Sequence, residues 1–502
     1  MAGIYVVVGT VARDTAGAGI TLSFLLSGIV AFLTAISYAE FGVVKSKDKT
    51  NLPHPDALGA IIIIVVTILL SIGVKESAYV NNVFTIINIA TIFFIIVFGF
   101  TIGSTSVLPW KSEYYPFGMM GVLQGAAQCF YAFTGFEAIT VASEEVINPK
   151  RNVPVGILSA MFATCLLYIF ASTALTMLVP YYKISTEAPF AAAIAERGYP
   201  WAKNCIAIGT TISILSPLLA SLYTLPRCIF AMSNDGLLFE TFGRTTQNGI
   251  PFKATLLSGF MSAIIVLFTE LKQLVEFVNV LTLVSYVTVN ISIIMIRYVP
   301  CGQMTHHIDI AQELLENDKE LFENVNIFES KFKRDCISEQ PREIGTIKRC
   351  FHRLNYSCSH GIGFSIPRCI FIMTGSMLCF SITIIHLRSF LSYYSFLFYT
   401  LLILLATMTF ISLGTIALHT QTMEKVNFQV PWVPILPSIA IWCNLFLVIW
   451  IPAINWIYFV IWNSIGLMVY FLYGVNHSKE NYQPYSDFAN LINNQELIKR
   501  MN

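Results

Sequence analysis

The chain has 502 residues, of which 55% are hydrophobic and only 12% are charged, whereas a soluble domain is about a quarter charged. The formal net charge of +1 provides no general attraction for nucleic acid, and we find no phosphate-binding or dinucleotide-binding motif. The 11 cysteines are scattered singly, which indicates small packing residues rather than a disulfide framework.

The apolar residues lie in long blocks, and a spanning helix needs roughly 20 of them. We therefore predict an all-α polytopic membrane protein. Its predicted spans are residues 16–43, 57–74, 78–103, 117–143, 153–180, 203–232, 253–270, 272–297, 366–387, 390–418, 431–450 and 452–474. The opening residues, MAGIYVVVGTVARD, are too short to cross and lack the pattern of a signal peptide. We expect them to be the end of a helix whose beginning is missing.

The one long polar segment lies between Pro300 and Pro367, with an acidic first part and a basic second part. Its apolar residues recur at near-helical spacing, so an amphipathic surface helix and a disordered loop both remain open. A short stretch of it contains Cys350, His352, Cys358 and His360. These spacings are not those of a zinc finger, so we expect a plain loop and no metal.

Basic residues in short loops predict the orientation. Lys and Arg follow the spans that end at 143, 232 and 297, and these connections share one side, which we take as cytosolic. The span at 57–74 conflicts with this pattern, because Lys45 and Lys75 lie on either side of it and one crossing cannot begin and end in the cytosol. Either this helix is inverted, or it does not cross, or a helix is absent.

The stretch CFYAFTGFEAITVASEEVINP, residues 129–149, carries Gly135 and Glu137 inside a span. An interior glycine weakens a helix by about 1 kcal/mol relative to alanine. A broken helix frees backbone groups that transporters use to bind the polar ends of a substrate. We predict a break near Tyr131–Gly135 with a cavity at mid-membrane. The alternative is that Gly135 permits close helix packing and Glu137 is neutral or reaches the interface.

This stretch, with EEVINPKRNVPVGI after it, resembles the sixth helix and following loop of the cationic amino acid transporters, which belong to the amino acid–polyamine–organocation superfamily. Further stretches resemble the family's first, second, fourth to fifth, and eighth helices in order: AGIYVVVGTVARDTAGAGITLSFL, SYAEFG, LSIGVKESAYVNNVFTIINIA and LPRCIFAMSNDGLLF. The resemblance covers residues 1–300 well and 366–474 only as four further spans.

The resemblance implies an inverted five-helix-repeat transporter fold with extra C-terminal helices and an incomplete first repeat. Residues 1–103 would be that first repeat, with half of helix 1 and helices 2, 4 and 5, and residues 104–297 the second repeat, with helices 6–10. Residues 298–365 would form a cytosolic loop, 366–474 four C-terminal transmembrane helices, and 475–502 a cytosolic tail.

The resemblance also implies a substrate site between broken helices 1 and 6. The carbonyls of Tyr131, Ala132 and Thr134 would hold the ammonium, and the start of helix 1 would offer N–H groups to the carboxylate. Glu137 stands where the family usually has Asp. The predicted substrate-binding residues are Ala2, Gly3, Ile4, Asn88, Tyr131, Ala132, Phe133, Thr134, Gly135, Glu137 and Ser216. For Ser216, simple helix-to-helix hydrogen bonding is the alternative role.

The chain departs from the family at two places. The first half of helix 1 is missing, and no third helix lies between SYAEFG and HPDALGAIIII. A missing third helix explains the orientation conflict at Lys45 and Lys75. The resemblance therefore implies a truncated, exon-skipped or mis-assembled version of a transporter, and we expect such a chain to transport poorly or not at all.

We predict transmembrane transport of amino acids by alternating access, with cationic ones such as arginine, lysine and ornithine as the expected cargo. The alternative is a non-transporting amino acid sensor or an accessory membrane protein. We see no catalytic constellation, so we expect no enzyme, no cofactor and no metal. The expected partners are an amino acid and the lipid bilayer, without nucleic acid and with any accessory subunit unknown. We expect the plasma membrane as location, or an endosomal or lysosomal membrane.

Overall fold

The computed structural model describes residues 3–41, 63–64, 67–68, 74–103, 115–141, 146–186, 188–245, 251–267, 271–298, 365–387, 395–421 and 428–478. Several predictions lie outside these residues. They concern Ala2, the connection at 42–62, most of the predicted span at 57–74, the polar loop at 299–364 with its cysteines and histidines, and the tail at 479–502. The prediction that a third helix is missing falls on the connection at 42–62.

Helices dominate the described residues, which include no β-strand. The α-helices are α1 (Gly3–Val11), α2 (Ile20–Phe41), α3 (Val74–Ile102), α4 (Gly118–Cys129), α5 (Glu137–Val141), α6 (Pro149–Leu178), α7 (Pro189–Glu196), α8 (Pro200–Asn234), α9 (Phe252–Leu267), α10 (Leu271–Tyr298), α11 (Ser365–Ile382), α12 (Ser395–Leu418), α13 (Ile435–Val448), α14 (Ala453–Val469) and α15 (Val475–His477). A π-turn (Ala12–Ala16) and a 3-10 turn (Gly17–Gly19) separate α1 from α2.

Within the described ranges, 7 helical stretches are long and apolar enough to cross a membrane. They are Gly3–Ala35, Asn81–Ile102, Pro149–Leu178, Gln273–Tyr298, Ile366–His386, Phe396–Leu418 and Ala453–His477. Two further predicted spans form the shorter apolar helices α9 and α13, of 16 and 14 residues. The prediction of an all-α polytopic membrane protein is confirmed.

The short helix α7 is absent from the sequence prediction. Its eight residues, PFAAAIAE, are too few for a span, but Phe190 and Ile194 are fully or nearly fully buried. Arg197 follows α7 and donates from Nε to the Leu178 carbonyl at 2.6 Å and from Nη2 to the Met177 carbonyl at 3.3 Å. The last carbonyls of a helix have no partner inside it, so Arg197 caps the end of α6.

The chain divides into two compact units. The first consists of Met1–Val289, Val426–Pro431 and Ile439–Ser478, and the second of Asn290–Lys425, Trp432–Ser438 and Lys479–Asn502. In the second unit, α11 packs against α12, where the hydroxyls of Ser376 and Thr409 are 2.8 Å apart.

In the first unit, α2 packs against α4 and α6, and α3 packs against α6 and α8. Serines of α2 bond to main-chain carbonyls of α4: the Ser23 hydroxyl donates to Val122 at 2.9 Å, and the Ser27 hydroxyl donates to Ala126. Such hydrogen bonds between apolar helices are typical of membrane proteins, because lipid provides no hydrophobic driving force between helices. They fix α4, and therefore the segment that follows it, against α2.

Candidate substrate site at a broken helix

The segment that begins at α4 does not continue as one helix. α4 ends at Cys129, a 3-10 turn covers Phe130–Phe133, and Thr134 is extended with ψ 153°. Gly135 has φ 112°, and α5 begins two residues later at Glu137. A residue with a side chain is strained at such a φ, which explains the glycine. The break predicted from the sequence is confirmed.

The freed carbonyls at the break have partners in the protein. The Tyr131 carbonyl accepts from the Thr134 backbone N–H at 3.2 Å and from the Thr134 hydroxyl at 2.7 Å. The Ala132 carbonyl accepts from the Tyr168 hydroxyl of α6 at 3.0 Å. These two carbonyls are predicted ammonium ligands. The hydrogen bond from Tyr168 takes one of the two lone pairs on the Ala132 oxygen, which leaves an acceptor position there.

Glu137 bonds to its own helix terminus and to α10. Its Oε2 accepts from the Gly135 backbone N–H at 2.9 Å and from the Tyr286 hydroxyl at 3.1 Å. The Gly135 N–H lies just before α5, so the carboxylate fixes the turn that leads into this helix. The sequence predicts an acid with an unknown partner, and the structure identifies that partner as Tyr286.

Aromatic rings pack on both sides of the break. The Tyr286 ring centroid lies 5.6 Å from that of Phe130 and 5.3 Å from that of Phe136. The rings of Phe133 and Tyr168 are 5.2 Å apart and meet edge to face. Contacts of this kind stabilise a structure by about 0.5–1.5 kcal/mol each beyond burial alone. The non-helical segment is therefore held from α6 and from α10.

The start of α1 lies directly against the break. A Cβ added to Gly3 would lie 2.5 Å from the Ala132 Cα, closer than any side chain allows. Ile4 is fully buried, and Tyr5 meets Phe190 of α7 edge to face at 5.8 Å. The structure thus brings together two of the predicted groups, the start of α1 and the segment around Ala132.

The predicted residues of α3 and α8 have different surroundings. Asn88 is 4% exposed, and its Oδ1 has no hydrogen-bond partner among the described residues. The Ser216 hydroxyl donates to Oδ1 of Asn81 at 2.9 Å and lies 3.3 Å from the Thr85 hydroxyl. Ser216 therefore links α8 to α3, whereas Asn88 retains a buried acceptor for which a ligand would be a partner.

Sequence reasoning missed Tyr168 and Tyr286. Each is a tyrosine inside a long apolar helix, and each is at most 1% exposed. A buried tyrosine hydroxyl needs a hydrogen-bond partner, so an isolated tyrosine in a span is a usable signal of a nearby polar group. That signal does not identify the partner, which here lies 36 residues away for Tyr168 and 149 for Tyr286.

Comparisons with known proteins agree on one family. The family model described as amino acid permease matches residues 54–305, which include α3, the broken segment, α8 and the whole of α10. A second profile, described as the C-terminus of the permease, matches residues 428–478.

Several relatives align over almost the whole chain. Cationic amino acid transporter 4 of Mus musculus is 29% identical over 95% of this chain and 85% of its own length. The Homo sapiens protein of the same name is 28% identical with the same coverage. Cationic amino acid transporter 4, vacuolar, of Arabidopsis thaliana is 30% identical over 96% of this chain and 90% of its own length.

Proposed function

This chain belongs to the amino acid permease family, and on that basis we propose that it carries cationic amino acids across a membrane. Three relatives that are named cationic amino acid transporters align with 95–96% of the chain, which supports this cargo class. Arginine, lysine and ornithine are the proposed cargoes. In this proposal the protein moves its substrate unchanged and is not an enzyme.

The observation that carries the proposal is the broken helix with α1 packed on it. Carbonyls at Tyr131, Ala132 and Thr134 would take the ammonium of the amino acid, because a broken helix leaves backbone oxygens available as acceptors. Both lone pairs of the Tyr131 oxygen accept from Thr134 in this structure, so Tyr131 would exchange one of these bonds for the ammonium. The backbone N–H groups at Ala2, Gly3 and Ile4 would take the carboxylate, since the start of a helix attracts negative charge. The contact between Gly3 and Ala132 supports a single site with both groups.

Glu137 gives this site its proposed preference for a cation. Its Oε2 holds the Gly135 N–H and the Tyr286 hydroxyl. We assign the other oxygen, Oε1, to the guanidinium or ammonium of the cargo side chain. A carboxylate that is already fixed by two donors loses little freedom when it binds a cation, so the geometry favours this second task.

Movement would follow the alternating-access scheme of inverted-repeat transporters, with α1 and the α4–α5 segment rocking against the other helices. Support comes from the non-helical residues between α4 and α5, where a change in φ and ψ breaks few helical hydrogen bonds. We place the connection with Lys150 and Arg151 in the cytosol, on the rule that cytosolic loops are basic.

The protein is an integral membrane protein, and we propose the plasma membrane as its location. One relative is named as vacuolar, and an endosomal or lysosomal membrane is the alternative. A tagged full-length chain, compared by microscopy with markers of each compartment, would distinguish these membranes.

A second candidate function is an amino acid sensor or accessory protein that binds without transport. The observation in its favour is the sequence between SYAEFG and HPDALGAIIII, which is too short to contain the family's third helix. A bundle without that helix would keep the binding groups at the break and lose part of the scaffold for rocking.

Both candidates are tested on one sample of the purified full chain in lipid vesicles. We expect saturable binding of radiolabelled L-arginine, displaced by lysine and ornithine but not by leucine, and a slow saturable uptake. Binding without any uptake would support the sensor. Absence of arginine binding would refute both candidates.

A further inference from the structure

A second polar site lies beside α1, apart from the break. It is a cavity of about 230 Å³ between α1, the end of α4 and the start of α10. None of the residues predicted to bind substrate lines it. Its polar lining consists of Thr10, Asp14, Thr15, Gln128, Thr186, Glu276 and Asn279.

The charges of this cavity are acidic. Asp14 is exposed, and Glu276 is half-buried. Oε2 of Glu276 accepts from Nδ2 of Asn455 at 2.9 Å, which fixes the carboxylate in place. The neighbouring Arg13 is exposed and does not line the cavity, and the lining residues include no Lys or Arg. The cavity therefore attracts cations.

Asn279 indicates that the cavity takes a ligand. It is 1% exposed, and its Nδ2 donates to the Ala127 carbonyl at 3.4 Å. Its Oδ1 is buried and accepts no hydrogen bond from any residue that the structure describes. Leaving a buried acceptor unpaired is unfavourable, so a donor in the cavity would stabilise it. This observation is independent of the two acids.

The chemistry of the lining selects one kind of ligand. The carboxylates of Asp14 and Glu276 and the amide oxygen of Asn279 are all acceptors. The oxygen of Gln128 already accepts from the Thr15 hydroxyl at 3.1 Å. A guanidinium group presents five N–H donors and no acceptor, and an ammonium group presents three donors. Such cations match the lining, whereas an anion would meet repulsion.

We propose that this cavity is an outer subsite for a guanidinium or ammonium group, separate from the substrate site at the break. Its volume equals that of about eight water molecules at roughly 30 Å³ each, enough for one such group with a short alkyl chain. Thr10 lies seven residues after Gly3, or about 10 Å further along α1. In the proposed orientation the cavity lies on the side of the membrane away from the cytosol. A cationic amino acid that enters from that side would reach the cavity before the break.

The test uses methylguanidinium, which lacks the ammonium and the carboxylate that the backbone of the break is proposed to bind. Binding is measured in the wild type and in Glu137→Gln, because Oε1 of Glu137 is itself proposed to hold a guanidinium, and the subsite accounts for the binding that remains in Glu137→Gln. Equilibrium dialysis of the radiolabelled compound against the purified full chain measures its Kd. We expect saturable binding, and no binding of uncharged methylurea, which has nearly the same shape. Equal binding of the two compounds, or no saturable binding of methylguanidinium, would overturn the proposal.

Variants locate the binding. Glu276→Gln removes a charge from the cavity and should raise the Kd about three- to tenfold, within the range of partly solvated ion pairs. Asp14→Asn removes the other charge of the lining and should raise the Kd by a similar factor. The matched control is Glu196→Gln, because Glu196 lies outside the cavity and pairs with Lys183 at 3.8 Å. It should leave the Kd unchanged.

The variants are compared at equal yield and with the same elution profile, and Asp14→Asn decides the question if Glu276→Gln does not fold. Equal shifts in Kd for Glu276→Gln and Glu196→Gln would refute the subsite, as would an unchanged Kd in Asp14→Asn. Arginine uptake is measured on the same samples. Binding of methylguanidinium without arginine uptake would support the subsite and refute transport. Arginine uptake without binding of methylguanidinium would support transport and refute the subsite.

Discussion

The Tyr286 hydroxyl donates to Oε2 of Glu137 at 3.1 Å, and the same oxygen accepts the Gly135 N–H at 2.9 Å. One carboxylate therefore joins α10 to the start of α5 across the non-helical segment. This arrangement makes Glu137 a structural residue of the break in addition to a proposed ligand for the cargo. Substitutions at both partners distinguish the two roles.

Glu137→Gln keeps an oxygen for the Gly135 N–H but removes the charge. We expect arginine uptake to fall about tenfold or more, because a lost pair with a cation in a poorly hydrated site is worth a few kcal/mol. Uptake of a neutral amino acid should change by less. Tyr286→Phe is the control, since it removes one donor without changing charge and should affect both cargoes alike. Equal losses for both cargoes in Glu137→Gln would assign this acid to structure alone.

Gly135→Ala tests the backbone conformation at the break. Gly135 has φ 112° and Gly198 has φ 89°, and an added Cβ would meet nothing within 4 Å at either position. Both substitutions should therefore lower the free energy of unfolding by a similar amount, about 1–3 kcal/mol from backbone strain. Arginine uptake should fall only in Gly135→Ala, because Gly198 lies in the turn after α7. Thermal melting and uptake in vesicles measure the two effects, and equal loss of uptake would count against a special role for the break.

Gly3→Ala tests the contact between α1 and the break. Its methyl group would lie 2.5 Å from the Ala132 Cα, so α1 or the broken segment must shift. We expect arginine affinity to fall about tenfold, since a shift of this size disturbs several hydrogen bonds to charged groups. Gly156→Ala in α6 is the matched control, because an added Cβ meets nothing within 4 Å there. Unchanged affinity in Gly3→Ala would show that α1 does not contribute to the site.

Asn88 and Asn81 on α3 should respond in opposite ways to the same substitution. Asn88→Leu removes a buried unpaired acceptor, so we expect equal or higher thermal stability together with weaker arginine binding. Asn81→Leu removes the acceptor of the Ser216 hydroxyl and should lower the free energy of unfolding by about 1 kcal/mol. The melting temperature and the Kd for arginine are measured for both variants. Full arginine affinity in Asn88→Leu would remove Asn88 from the proposed site.

Local patterns in the sequence predict the helices and the break, but they do not predict the contacts between residues far apart in the chain. The predicted spans at 153–180 and 272–297 appear as α6 (Pro149–Leu178) and α10 (Leu271–Tyr298), because a block of apolar residues defines a span by itself. The break is likewise predictable, since Gly135 and Glu137 are polar or flexible exceptions within such a block. The partner of Glu137 is 149 residues away, and only tertiary packing brings it near. The cavity also combines residues from both ends of a 266-residue stretch, such as Asp14 and Asn279, which no short motif joins.

The serines of α2 bind main-chain carbonyls of α4 rather than its side chains. Every residue type has such a carbonyl, so substitutions at Val122 and Ala126 leave these two acceptors in place. The helix that leads into the break is therefore anchored in a way that tolerates changes in its own sequence. At exposed positions of α4, such as Gln124, evolution or a protein engineer can therefore change the side chain without losing the attachment that positions the break.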